Sequence, residues 1–297
     1  MTLHGNAVDI RGKKIVRMST AVHWYTPNII GYARLLLTVV SLFAAVRAAA
    51  GDGSVRQSAA AAAAQRPVLC WIYLAAVFAA AALDAVDGWA ARRLEQTSTF
   101  GAQLDVICDN ALRTSCWVVA TLAEPRVLPV SVTLLCLEWL TLLATQSAPA
   151  LEERLAVAVR AHAASSAGGR RATREQSAGR KRMRSWRETA QGKIHPWLVR
   201  AYFANGFRNP IGALGIASLF FAPLHVSASA VLAARGGRSG SGSGTLLEEY
   251  RALWASAGIL LYCGRALSAC VEIYFVHRHA AALLAWDEHE RVAAASR

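Results

Sequence analysis

The chain has 297 residues, 55% of them hydrophobic, and a positive mean hydropathy. Apolar stretches long enough to cross a bilayer recur along it, which excludes a soluble globule and predicts an all-α, polytopic membrane protein. The net charge of +13 is local, because residues 151–197 hold eleven Lys/Arg against four Glu; with no regular interleaving of aromatics and no nucleic-acid-binding fold pattern, this excess fits a loop beside anionic lipid and predicts no nucleic-acid partner.

Residues 1–28 read as a cytosolic leader. The first 20 have no apolar core, so no cleavable secretory signal is expected and the first span would act as the signal. Residues 11–25 mix basic and aromatic positions, as a short interfacial helix or a disordered leader would. Six spans follow from the apolar runs and their breaks: 29–50, 68–90, 100–122, 127–147, 208–234 and 253–276. Together they define a six-helix catalytic domain over 29–276. The low-complexity segments 51–67 and 236–244 read as flexible connectors on one side. The basic insert 151–194 and the tail 277–297 fall on the other. Placing both termini in the cytosol puts most Lys/Arg inside, as membrane insertion favours.

The six cysteines show no CxxC pair and no metal-ligand spacing. They read as small buried hydrophobes, with neither disulfide nor zinc. The eight histidines are scattered, and none is assigned a metal. Trp71, Trp89 and Trp197, near span ends, fit an interfacial belt.

The chemistry concentrates in one stretch: Asp84-x2-Asp87-Gly88-x2-Ala91-Arg92-x8-Gly101-x3-Asp105-x3-Asp109. Carboxylates at membrane depth are rare and costly, so four together imply a cation to hold. Asp84, Gly88 and Arg92 are spaced four apart and share one helical stripe. Gly101, Asp105 and Asp109 share a stripe on the next helix. Two such helices joined by a short turn would bring the stripes face to face. Gly88 and Gly101 would let a ligand or a partner backbone approach. Divalent hard cations take oxygen ligands and keep substrate phosphates among them. Two ions, Mg²⁺ or Mn²⁺, bridging the acids and a diphosphate would neutralise a leaving phosphate and polarise the phosphorus under attack. Asp109, last in the series, is the candidate general base. The competing reading pairs these acids with intramembrane Arg34, Arg92 and Arg113.

At these positions the chain resembles the CDP-alcohol phosphotransferase family, whose signature D-x2-D-G-x2-A-R-x8-G-x3-D-x3-D is filled throughout. The resemblance implies a six-helix membrane domain, usually a homodimer, with a two-metal site facing the cytosol. Members join a phosphatidyl or phospho group from a CDP-linked donor to an alcohol and release CMP. It further implies that Asp84, Asp87, Asp105 and Asp109 cradle the metals, that Gly88, Ala91 and Gly101 leave room for the donor, and that Arg92 supports the nucleotide. TPNIIGYAR (26–34) and the run 87–114 resemble the phosphatidylinositol synthase subgroup of eukaryotes, and 195–214 is a looser match. That implies CDP-diacylglycerol as donor, inositol as acceptor, phosphatidylinositol as product and the endoplasmic reticulum as location. Asn110 replaces the usual Arg after the last Asp, and Glu138 stands where Asp is more typical. These departures bear on the acceptor more than on the reaction, so glycerol 3-phosphate or serine stays open as acceptor. An intramembrane prenyltransferase or a cation transporter fits the spacing less well.

Outside the signature, Asn28 and Arg34 open the first span as contacts for donor phosphates or the metal-site acids. Their alternatives are a helix cap and a structural ion pair. Glu138, in mid-span, needs a partner or a polar cavity and is a candidate for lining the acceptor site. Arg208, before Pro210, is a second acceptor candidate, with snorkelling to the interface as the plainer reading. Arg265 and Glu272, seven apart in the last span, read as a structural pair or a dimer contact.

Overall fold

A computed structural model of the chain describes residues 20–50, 59–166, 195–236 and 245–295. Among them there are helices and turns and no strand. Among the described residues, five helical segments are long and apolar enough to cross a membrane: Thr26–Ala49, Val68–Arg93, Pro125–Ala158, Pro210–Leu232 and Tyr250–Ala294. Phe43, Leu143, Ile259 and Leu284 are among the many large apolar side chains exposed on these helices, as expected of surfaces that face lipid rather than water. The predicted third span corresponds to a 25-residue helix, Thr99–Ala123. It carries Asp105, Asp109 and Arg113 and so lacks the apolar character of the other five.

The chain divides into two compact units, Met1–Leu112 and Arg113–Arg297. In the first, a 3₁₀ turn over Thr20–Trp24 leads into α1 (Thr26–Ala50). Pro27 sits in the first turn of α1, where its missing N–H has no intrahelical partner to lose. Helix α2 (Ala59–Arg93) packs along α1. The connector predicted over 51–67 is therefore corrected in its second half, because 59–67 is already helix. A run of six alanines opens that stretch, and alanine is the best helix former. The chain reverses over 94–98, with Glu95 in the left-handed region at φ 55°. The Gln96 side chain fixes this turn to α1 by accepting the Thr26 N–H at 2.9 Å. Helix α3 (Thr99–Ala123) starts on a side-chain cap, with Ser98 Oγ accepting the Gly101 N–H at 2.9 Å. Helices α1 and α3 touch at Gly31, where an added Cβ would lie 2.8 Å from Leu104 Cδ2.

The second unit holds the end of α3, α4 (Leu128–Ser166), α5 (Trp197–Phe203), α6 (Pro210–Gly236) and α7 (Thr245–Ala295). Helices α4 and α6 both pack on α7. One core cluster joins Val199, Tyr202 and Phe203 to Val271, and another joins Trp117 and Ala120 to Ala222. Asn205, Gly206 and Phe207 all take positive φ between α5 and α6. Asn209 then caps α6, accepting the Gly212 N–H at 2.9 Å and donating to the Ala204 carbonyl at 2.8 Å. Helices α4 and α7 run past the predicted span ends at 147 and 276. Residues 151–166 of the expected insert and most of the expected tail are thus helical. The rest of the insert (167–194), the connector 237–244 and the leader 1–19 lie outside the described residues.

The cysteine reading needs one correction. Cys108 and Cys116 are buried, but Cys70, Cys136, Cys263 and Cys270 are exposed on helix surfaces. All six are free thiols. In a membrane helix the outward face is as apolar as the core, so hydrophobic sequence around a cysteine does not distinguish the two. Trp71, Trp89 and Trp197 are all exposed.

Candidate active site

The first unit brings α1, α2 and α3 together around one guanidinium. Arg34, on α1, has its side chain 2% exposed and contacts all four acids of the signature. Its Nη1 donates to Asp87 Oδ2 at 2.8 Å and to Asp105 Oδ1 at 2.9 Å. Its Nη2 lies 2.9 Å from Asp84 Oδ1 and donates to Asp109 Oδ1 at 2.6 Å. Each nitrogen therefore joins one acid from α2 to one from α3. The reversal at 94–98 explains the pairing. Asp87 and Asp105 stand nearer the turn, and Asp84 and Asp109 stand about one helical turn further from it.

Ligand oxygens of Asp84, Asp105 and Asp109 lie within 4.8 Å of one another. Their side chains are 46%, 41% and 31% exposed, whereas Asp87 is nearly buried. The cluster thus has a dry floor of Arg34 and Asp87 and an accessible mouth of three carboxylates. With all four acids ionised, one guanidinium leaves a formal excess of three negative charges. Clustered hard oxygen donors with that excess suit divalent cations. A mixed reading of the sequence therefore holds: the acids converge as predicted, and they also pair with an intramembrane arginine, which is Arg34.

The neighbouring signature positions fall into place unevenly. Asn28 is buried and donates to the Val22 carbonyl at 2.6 Å. Its Oδ1 fills the space beside Gly101, where an added Cβ would sit 2.7 Å from it. Gly101 therefore makes room for the Asn28 side chain, not for a partner backbone, and Asn28 is tied into the α1–α3 packing and is not a free helix cap. The atoms nearest a Cβ added at Gly88 belong to the Arg92 guanidinium, the closest at an ordinary 3.5 Å. Arg92 is exposed and folds back along α2 over Gly88, and Ala91 is half-buried beside it.

The acceptor candidates belong to the second unit. Glu138 is buried with its side chain 2% exposed, and accepts from Arg113 Nε and Arg265 Nη2 at 3.0 Å each. Arg265 also donates to Glu272 at 3.1 Å, so the seven-residue spacing on the last helix does form a pair. Arg113 stands 5.4 Å from the Phe220 ring centroid. In the same unit Tyr202 and Ser268 share a buried hydroxyl contact at 3.0 Å. Arg208 is exposed at the turn before α6.

Sequence reading missed two things. It did not foresee that one arginine would serve all four acids, although the signal was present: a charged residue inside the first span must find opposite charge. It also missed that Glu138 joins Arg113 to the Arg265–Glu272 pair, because Arg113, Glu138 and Arg265 are too far apart in sequence for helical spacing to connect them.

Comparison with known proteins adds a family. The sequence profile of the CDP-alcohol phosphatidyltransferases matches residues 24–176, which contain all of the acid cluster. The chain is similar to CDP-diacylglycerol–inositol 3-phosphatidyltransferase 1 of Arabidopsis thaliana, 35% identical over 99 residues, which is 33% of this chain and 34% of that protein. The Schizosaccharomyces pombe CDP-diacylglycerol–inositol 3-phosphatidyltransferase is 35% identical over 96 residues, 32% of this chain and 31% of its own length. The Drosophila melanogaster protein of the same name is 31% identical over 102 residues, 34% of this chain and 36% of its own length. The matched stretch spans about a third of these curated relatives. No solved structure matches the chain.

Proposed function

Because the chain belongs to the CDP-alcohol phosphatidyltransferase family, we propose that it transfers the phosphatidyl group of CDP-diacylglycerol to myo-inositol, giving phosphatidylinositol and CMP. The observation that carries this reading is the convergence of Asp84, Asp105 and Asp109 within 4.8 Å, in the spacing of the signature. The names of the relatives in Arabidopsis, fission yeast and Drosophila support the choice of donor and acceptor.

Asp84, Asp87, Asp105 and Asp109 would hold divalent metal, either Mg²⁺ or Mn²⁺. Bound there, it supplies charge neutralisation for the diphosphate and polarises the phosphorus. Asp109 takes the proton of an inositol hydroxyl. The resulting oxygen forms a bond to the phosphorus next to diacylglycerol, and the bond from that phosphorus to CMP breaks. Gly88 and Ala91 leave space for the cytidine nucleotide, and Arg92 offers it a guanidinium. Arg208 remains the acceptor-side candidate, while Glu138, engaged by both Arg113 and Arg265, takes the structural role. The domain acts within the membrane, with the basic segments and both termini on the cytosolic face, as a homodimer of the endoplasmic reticulum.

The test is turnover by purified protein in mixed micelles of CDP-diacylglycerol with Mn²⁺ or Mg²⁺. Labelled inositol is offered in one arm, glycerol 3-phosphate or serine in the others. Labelled lipid and CMP should form together, from inositol only. Lipid formation from another alcohol alone would replace the acceptor. Asp109→Asn should lower CMP release by at least about 10²-fold, the usual worth of a positioned base. Unchanged CMP release in that variant would remove Asp109 from the role.

A further inference from the structure

We infer that Arg34 is an exchangeable counter-cation of the acid cluster, so that divalent metal and the Arg34 guanidinium compete for the same carboxylate oxygens. The inference rests on the reading above that these acids hold metal.

Three observations carry it. The first is identity of partners. Nη2 contacts Asp84 and Asp109 through one oxygen each, at 2.9 and 2.6 Å, and Nη1 contacts Asp105 at 2.9 Å. These are the three acids whose ligand oxygens cluster within 4.8 Å. A cation seated among those oxygens would stand against the guanidinium. Like charges at such range, away from bulk water, repel strongly. The second is geometry. Each terminal nitrogen bridges one α2 acid and one α3 acid, so the guanidinium ties together the same two helices whose acids would hold metal. The third is an incomplete fit. Among the described residues Arg34 Nε is buried with no hydrogen-bond acceptor, so this placement leaves one of the guanidinium donors unserved.

Charge balance points the same way. Arg34 alone leaves an excess of three negative charges among ionised acids. Arg34 together with two divalent ions would leave an excess of one positive charge. A displaced guanidinium is then matched by an anionic ligand and no longer by the carboxylates. Arg34 thus keeps α2 and α3 from repelling each other until metal takes over that task.

The experiment measures Mn²⁺ binding to the purified full chain in detergent, from the electron-spin resonance of free Mn²⁺, with no lipid or inositol present. Arg34→Gln should bind Mn²⁺ about tenfold more tightly than the parent, because the competitor that lowers its apparent affinity is gone. Arg34→Lys, which has one nitrogen and cannot bridge both acid pairs, should fall between. Equal or weaker binding by Arg34→Gln overturns the inference, because Arg34 would then be neutral or helpful to metal. Should Arg34→Gln be recovered only when Mn²⁺ is present, the inference is supported, since metal has replaced the missing cation. Should it be recovered under neither condition, Arg34→Lys decides by the same criterion. A measurement on the unaltered protein is independent of variant folding. Labelling of Arg34 by phenylglyoxal, read by mass spectrometry, should rise on adding Mn²⁺, and unchanged or reduced labelling overturns the inference. None of these readouts contains substrate, so failure of inositol turnover with Mn²⁺ competition intact would remove only the acceptor reading.

Discussion

Glu138→Gln separates a structural from a catalytic role for a buried acid of the second unit. Glu138 receives two arginines, Arg113 and Arg265, at 3.0 Å each, and its side chain is only 2% exposed. Replacing the carboxylate with an amide removes the acid that both guanidiniums contact. Removing one partner of a buried ion pair costs about 3–5 kcal/mol, mostly because the remaining charge is left uncompensated. At about 2–4 °C per kcal/mol for a large domain, Tm should fall by roughly 10 °C. The assay is thermal unfolding in detergent, read by intrinsic fluorescence, beside the KM for inositol measured well below the lowered Tm. The network predicts a large fall in Tm with KM for inositol little changed. A Tm within about 2 °C of the parent, less than 1 kcal/mol on the same scale, would refute the reasoning. An inositol KM raised at unchanged Tm would instead move Glu138 to the acceptor site. Pairing Glu138→Gln with Arg113→Gln should recover part of the loss, because the two changes share one interaction.

Three further outcomes follow from local geometry. Gly101→Ala places a methyl 2.7 Å from Asn28 Oδ1, and overpacking of this kind costs about 1–3 kcal/mol, so Tm should drop while Gly88→Ala, whose neighbour is the flexible Arg92, drops less. Asn209→Ala removes the cap that holds Gly212 N–H at 2.9 Å and should cost about 0.5–2 kcal/mol, read as a lower Tm with CMP release per folded molecule unchanged. Chelation with EDTA should abolish CMP release, and Mn²⁺ or Mg²⁺ should restore it; activity persisting in EDTA would sever the acid cluster from the chemistry.

The amino-acid order alone determined that the chain is helical and membrane-embedded, and where the acids would gather. Helical periodicity fixes which residues share a face, and apolar run length fixes which segments suit a bilayer, so both are written in local order. Asp84, Asp87, Asp105 and Asp109 could be matched across the turn because they lie on consecutive helices. The α3 helix shows the limit of that logic, since its polar face lowers its apolar character below that of the other five. Helix ends were also poorly written: α4 and α7 continue well past their apolar runs, because exposed polar residues sustain a helix without raising hydropathy.

Only the tertiary structure decided who answers the charges. Arg34 reaches acids 50 to 75 positions away, and Arg265 reaches Glu138 across 127. A buried charge demands a partner but does not say which, because attraction depends on distance in space and is indifferent to separation along the chain. The fold settles those distances by packing three helices around one guanidinium, and by closing a second network around Glu138.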